Sequence, residues 1–233
     1  MLHQVKLQSN NVNGLQILVV GVGGTGSHLL PLLAKYNYHL RSKGTDGFNV
    51  IAMDNDIIES KNIGRQNFSP FQVGLPKAQT VIESVNRYYG FNWTAINERA
   101  TPLTNTNSHI VITCVDNFES RNMIHARFKD AYDSYWIDAG NGFDFGQIII
   151  GYNSRDKKIP SLPSVIDEFP DMKRHADLSI GNGCNDEKQG LFVNTGMAYY
   201  LAYCVKRMID DMYLDFRGIY LNFGNDLNIN FIR

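Results

Sequence analysis

Leu15-Gln16-Ile17-Leu18-Val19-Val20 runs directly into Gly21-Val22-Gly23-Gly24-Thr25-Gly26, and the fold is decided in this passage. A short, mostly apolar run that ends in glycines reads as a buried parallel strand. From Thr25 to about Tyr36 the chain then reads as a helix, with Leu29, Leu30, Leu32 and Leu33 supplying its apolar surface. Pro31 falls past the first turn and allows a local kink. Gly21, Gly23 and Gly26 form G-x-G-x-x-G between strand and helix. They serve a tight turn, a close backbone approach to phosphate and close helix packing, respectively. Backbone N–H groups at the helix start, aided by the helix dipole, favour an anion there. By itself the loop says only that a nucleotide phosphate sits near a helix start, and a plain glycine turn is the bland alternative.

Outward from the loop, strand and helix alternate. Asn37–Gly47 reads as a polar loop, longer than the ~2–6 residues usual for such connections. Phe48–Met53 is a second strand ending at Asp54, and Pro76–Tyr89 a helix with proline near its first turn. Phe91–Asn97 is a third strand and His109–Val115 a fourth, very apolar one ending at Asp116-Asn117. The helix Phe118–Tyr132 precedes strands Tyr135–Ala139 and Phe145–Gly151. This alternation is the signature of a doubly wound, Rossmann-like α/β fold with a mostly parallel sheet. Residues 152–190 change character, with Pro160, Pro163, Pro170, Gly181 and Gly183 among many polar residues. A stretch of that length without periodicity is functional or mobile. Leu191–Met212 is a clear helix. Ile219–Phe223 and Leu227–Ile232, around Gly224-Asn225-Asp226, close the chain as an antiparallel hairpin. The division is thus a single domain over 1–233: a nucleotide-binding core at 15–150, a crossover at 152–190, and a C-terminal helix and hairpin at 191–233.

Composition sets bounds. With 233 residues the chain can bury a full α/β core. A net charge of −1 offers no basic field for nucleic acid or an anionic membrane. No apolar run approaches the ~18 residues of a membrane span, and the polar start MLHQVKLQSN is not a signal peptide. Cys114, Cys184 and Cys204 lie far apart with no C-x-x-C, which disfavours a disulfide framework and a four-cysteine zinc site. A reduced, cytoplasmic protein is expected, with no zinc.

The chemistry-bearing residues follow the second strand. Asp54 sits where an acidic residue accepts hydrogen bonds from ribose hydroxyls. It comes 28 residues after Gly26, against roughly 20 in the usual spacing, and the 37–47 insertion absorbs the difference. Asp56 is a second carboxylate, or an ordinary loop one. Asn62, Arg65, Gln66 and Lys77 add two amides and two cations. Arg65 offers a planar fork suited to phosphate, Lys77 a point charge, and Asn62 a grip on phosphate or nearby backbone. That set suits a triphosphate better than a nicotinamide dinucleotide. Asp116 ends an apolar strand at the carboxyl edge where open α/β sheets bind ligands, although Asp116-Asn117 also reads as a helix cap. Cys114 and Cys204 read as inert core thiols. The six histidines lack ligand spacing, and Tyr199, Tyr200 and Tyr203 at helical spacing read as packing.

GVGGTGS, the strand ending DND, S-K-N-I-G-R-Q at 60–66, G-L-P-K-A at 74–78 and C-V-D-N at 114–117 together resemble the ThiF/MoeB/E1 superfamily. These are enzymes that adenylate the C-terminal carboxylate of ubiquitin-like proteins. The resemblance implies ATP and Mg2+ as cofactors, Arg65 and Lys77 as triphosphate contacts, Gln66 as support, Asp54 as ribose partner and Asp116 as the Mg2+ ligand. It also implies a small ubiquitin-like or sulfur-carrier partner and a homodimer. Gly183-Cys184 followed by Gln189-Gly190-Leu191-Phe192-Val193-Asn194 looks like the ThiF-related member of the bacterial PRTRC cassette. In some relatives a cysteine in the crossover accepts the activated carboxyl or sulfur; Cys184 is the candidate, with an ordinary loop thiol as the alternative. The chain departs from the pattern twice: it lacks the two C-x-x-C pairs of many bacterial relatives, and residues 1–14 hold no arginine to reach a partner's ATP. Three other readings stay open. A non-catalytic nucleotide-binding scaffold of a mobile-element cassette suits the missing arginine. An NAD-dependent oxidoreductase leaves Asn62, Arg65 and Lys77 unexplained. Adenylation of tRNA is disfavoured by the near-neutral charge.

Overall fold

The computed structural model describes residues 2–7, 14–101, 108–171, 190–224 and 226–233. In chain order these form β1 (His3–Gln4), β2 (Leu15–Val20), α1 (Gly24–Ser42), β3 (Phe48–Met53), α2 (Lys77–Tyr89), β4 (Thr94–Ile96) and β5 (Ile110–Thr113). There follow α3 (Phe118–Asp130), β6 (Ser134–Asn141), β7 (Phe145–Asn153), α4 (Val165–Glu168), α5 (Val193–Asp210), β8 (Tyr213–Leu214), β9 (Gly218–Asn222) and β10 (Asn228–Ile232). Short 3-10 turns lie at Ser60–Asn62 and Pro70–Gln72.

The main sheet has eight strands in the order β10-β9-β7-β6-β5-β2-β3-β4. From β4 to β6 the pairing is parallel, with Val19 opposite both Ala52 and Ile112. Beyond β6 it turns antiparallel through β7, β9 and β10. The fold expected from the glycine loop and the alternation is therefore the fold observed.

Alternate side chains of each parallel strand enter opposite cores. Ile17 and Val19 of β2, with Ile110 and Ile112 of β5, pack with Leu29, Leu30 and Leu33 of α1, Val81 and Ile82 of α2, and Leu201 and Val205 of α5. Leu18, Val20 and Val111 face the other way, toward Ile124 and Phe128 of α3 and Trp136 of β6. Burial on both faces explains why these strands are mostly apolar rather than alternating.

The chain moves outward from β2 to β3 and β4, then returns to β5 on the opposite side of β2. The gap between the carboxyl ends of β2 and β5 is thus the point where the strand order reverses, and crevices at such points hold ligands.

The structure corrects two sequence expectations. The helix expected to stop near Tyr36 continues to Ser42, so much of the expected 37–47 loop is helical. Asn37, which reads as a loop residue, is buried: its Nδ2 donates to Phe48 O at 3.0 Å and its Oδ1 accepts from Phe48 N at 2.7 Å. A polar side chain that completes the edge of a strand costs the helix little and holds the two elements together. Near the start of the chain, β1 pairs antiparallel with β8 in a small second sheet that periodicity does not reveal.

Candidate functional site

The glycine loop lies across the reversal point. Gly21 has φ +92°, and a Cβ there would fall 2.6 Å from Cys114 O, which follows β5. A Cβ on Gly26 would fall 1.9 Å from Gly21 O. Both glycines are fixed by backbone contact, as the motif requires. Gly23 precedes α1 and leaves room: a Cβ would meet only Gln66 Nε2, at 3.9 Å.

Asp54, directly after β3, closes the loop from the side. Its Oδ2 accepts from Val22 N at 2.6 Å and its Oδ1 from Asp56 N at 2.8 Å. Burial raises the pKa of Asp54 above the ordinary carboxylate value, and the Asp56 and Val22 amides together with Lys77 offset this only in part. Lys77, the first residue of α2, is buried, and its Nζ donates to Asp56 Oδ2 at 2.9 Å. Its backbone N–H donates to Asp56 O at 2.9 Å. A buried ammonium paired with a single exposed carboxylate keeps donors for a ligand, because an ammonium has about three.

Residues 59–67 form the third wall. Asn62 is buried, and its Oδ1 accepts from Glu59 N at 2.8 Å within the capping box of the 3-10 turn. Of the two grips open to Asn62, the structure shows the backbone one. Arg65 is half-buried, and its carbonyl lies 3.4 Å from His28 Nε2 on α1. Asn67 N donates to Ser27 Oγ at 3.0 Å and Asn67 Nδ2 to Ser27 O at 3.3 Å. These bonds strap the segment to the first turn of α1. Between them, Gln66 is turned inward beside Gly23, 7% exposed. Its buried Oε1 has no hydrogen-bond partner, and an unfilled buried acceptor next to a glycine loop fits a bound polar ligand.

Asp116 follows β5 on the same rim and is exposed. Its Oδ1 accepts from Asn117 Nδ2 at 3.2 Å. Asn117 is the residue that caps α3, accepting from Ser120 N at 2.8 Å. Of the dipeptide, Asn117 takes the cap, and Asp116 stays exposed on the rim. Among the described residues no cluster of three or more His, Cys, Asp or Glu side chains could hold a metal by itself. A lone hard carboxylate on the rim of the glycine loop is compatible with Mg2+, which takes one or two carboxylates plus phosphate oxygens. Cys184 and Gly183 lie outside the described residues. Burial raises the Cys114 thiol well above its usual pKa and pushes Cys204 up to about 12, consistent with inert core thiols.

Sequence reasoning does not reveal the supports. Ser27 ends GVGGTGS without a role of its own in it, and His28 and Asn67 belong to no motif. Arg121 and Asp138 are equally inconspicuous. The Arg121 Nε lies 3.0 and 3.1 Å from the two carboxylate oxygens of the buried Asp138, and Arg121 Nη2 donates to Ala139 O at 3.1 Å. Thr113 Oγ1 donates to Asp138 Oδ1 at 2.5 Å. This buried pair ties the start of α3 to β5 and β6, and so fixes the loop that carries Asp116. The only signal in the sequence is Asp138, the one charge within β6; Arg121 is one of several charges on α3.

The family model described as the ThiF family matches residues 4–160, more than half of the chain. The chain belongs to the ThiF family. A ubiquitin-like modifier-activating enzyme 5 from Bombyx mori is 29% identical over 140 residues, covering 53% of this chain and 33% of that enzyme. The corresponding enzyme from Caenorhabditis elegans is 27% identical over 140 residues, covering 53% of this chain and 31% of its own length. The aligned part thus spans about a third of these curated relatives. Among solved structures, E. coli MccB with ATP superposes with a TM-score of 0.68 at 20% identity, covering 97% of this chain and 65% of that one. E. coli MccB with MccA gives 0.72 at 19% identity, covering 96% and 64%. At these identities the structural likeness speaks for the ThiF-type fold alone. Among the described residues of this ThiF-family chain, no helix is long and apolar enough to cross a membrane.

Proposed function

We propose that this ThiF-family chain uses ATP and Mg2+ to adenylate the C-terminal carboxylate of a small ubiquitin-like or sulfur-carrier protein. One observation carries the reading. The buried Lys77, the Asp54–Asp56 pair and the unpartnered Gln66 acceptor converge on the glycine loop where the strand order reverses. A redox dinucleotide site has no need of a buried ammonium at the start of α2, whereas a triphosphate does.

The partner's carboxylate oxygen attacks the α-phosphorus, the bond to the bridging oxygen of the β-phosphate breaks, and pyrophosphate leaves. The protein's task is to align that attack and neutralise phosphate charge. Backbone N–H groups of the glycine loop, Lys77 and Arg65 serve the phosphates. Asp54 serves the ribose, and Gln66 accepts from a nucleotide hydroxyl. Asp116 is the residue that would hold Mg2+, which when bound supplies further neutralisation of phosphate charge. The matches to ubiquitin-like modifier-activating enzymes support a small protein as substrate. On this reading the domain spans 1–233, residues 152–190 guide the partner's tail across the site, and Cys184 is the place to look for a covalent adduct. The chain would be the PRTRC cassette's ThiF-related member, acting as a cytoplasmic homodimer.

The test is ATP–pyrophosphate exchange in the presence of candidate small proteins, with intact-mass detection of the adenylate and of Cys184 adducts. Arg65→Ala and Asp116→Ala should each abolish exchange. Activity that survives both substitutions refutes the reading, and ATP binding without exchange would point instead to a nucleotide-binding scaffold.

A further inference from the structure

Gly24, the first residue of α1, touches a residue from the far end of the chain. A Cβ on Gly24 would fall 2.6 Å from each of Cγ, Nδ2 and Oδ1 of Asn194. The whole amide head therefore lies flat against the backbone at the helix start. Asn194 is 1% exposed. Its Oδ1 accepts from Thr25 Oγ1 at 3.3 Å and from Asn141 Nδ2 at 2.6 Å. Thr25 belongs to the glycine loop, Asn141 ends β6, and Asn194 is the second residue of α5, the helix entered from the crossover segment. A single oxygen atom thus joins the phosphate loop, the sheet and the crossover exit. Close packing of α5 on the sheet keeps it there: a Cβ on Gly146 of β7 would fall 2.1 Å from Met197 Sδ.

Gly24 therefore lacks a side chain for a reason the motif does not state. The space belongs to Asn194, on the inner side of the helix start.

We propose that Asn194 is a positioning residue for the nucleotide phosphates. By clamping Gly24 and Thr25 it fixes where the N–H groups of the α1 N-terminus point, and it sets that loop in register with the end of the crossover. This rests on the reading of the glycine loop as a nucleotide site. Convergence of several N–H donors on one phosphate tolerates only about 0.5 Å of displacement, so a residue that pins the loop from behind acts on affinity without touching the ligand.

Asn194→Asp separates this role from simple packing. The carboxylate keeps both acceptor bonds and its charge suits the helix N-terminus, while its burial costs some stability. The same charge opposes phosphates bound at that terminus. Calorimetric titration of the full chain with Mg-ATP, at temperatures where the variant is folded, should show Asn194→Asp binding roughly ten-fold or more weakly than wild type. Measured against wild type at each pH, its affinity should recover as pH falls from about 8 toward about 5, because the protonated acid is an isostere of the amide. Asn141→Ala, which removes the far partner, should weaken binding by roughly three-fold and add little on top of Asn194→Ala. A folded Asn194→Asp that binds within about two-fold of wild type at every pH overturns the proposal. Should that variant fail to fold, an Asn141→Ala of wild-type affinity overturns it. The wild-type titration is the control for the site itself: no Mg-ATP binding there refutes the nucleotide reading, whereas wild-type binding with indifferent variants refutes only the role of Asn194.

Discussion

β5 is buried along its whole length and β2 nearly so, whereas Asn228, Ile229, Asn230 and Phe231 of β10, at the far edge of the same sheet, are all exposed. In the parallel half, backbone meets backbone at the strand ends, and the charges that remain are drawn into a rim of close contacts around Gly21, Asp54 and Lys77. In the antiparallel half Gly146 meets the flexible side chain of Met197 while Gly218 meets Ile148 O, and ion pairs such as Arg217–Glu168 at 2.9 Å stay partly open to water. Among the described glycines the tightest backbone contact, at Gly26, lies where phosphates would be held, and exposed side chains collect at the edge.

Glycine substitutions test this contrast most severely. Gly26→Ala drives a Cβ into Gly21 O at 1.9 Å, backbone against backbone. It should cost about 3 kcal/mol or more in urea unfolding and abolish nucleotide binding. Gly146→Ala meets the flexible end of Met197 and should cost about 1–2 kcal/mol, with binding retained. Equal losses would erase the distinction between the halves.

Charge removal comes next. Lys77→Ala should lower pyrophosphate exchange on the order of a hundred-fold, the scale of losing a charge-stabilising donor. Arg217→Ala should leave exchange unchanged and cost about 1 kcal/mol at most. Similar kinetic losses in both variants would mean that the rim has no special standing.

Opposite pH dependences sharpen the comparison further. The folded pKa of Asp54 is raised above 3.8, chiefly by burial. A raised carboxylate contributes stability at low pH and loses it as pH rises through the folded value. Burial would also raise Asp167, but hydrogen bonds from Ser164 and Lys129 and the charge of His125 outweigh it, so its pKa falls below 3.8. Its contribution is present above 3.8 and fades as pH drops through the lower folded value. Across a pH series of urea melts, Asp54→Asn should therefore gain on wild type as pH rises, and Asp167→Asn as pH falls. The two trends running in the same direction would contradict the environments described. The smallest effect belongs to the edge: Leu227→Ser, at a residue 72% exposed, should change stability by no more than about 0.5 kcal/mol.

Much of the fold is legible in the amino-acid sequence. The strands Leu15–Val20 and Phe48–Met53 begin and end where their mostly apolar runs do, because burial on both faces leaves little room for polar residues. Asn37 is harder to read, because a buried polar side chain inside a helix looks like a loop residue until its partner, Phe48, is known. Asn62, Gln66 and Lys77 stand out by pattern, yet the pattern does not say that Asn62 caps its own turn or that Gln66 keeps an open acceptor.

Local chemistry lies in the sequence itself: glycines where only glycine fits, apolar periodicity, and carboxylates and cations in an order that assigned the ThiF-type fold. Only the tertiary structure decided the partners. Thr25 meets Asn194 169 positions away, and Arg121 crosses to Asp138 on a neighbouring strand. Such bonds follow from strand order and helix packing. A hydrogen bond depends on distances of a few tenths of an ångström between elements, and no single segment of the chain encodes them.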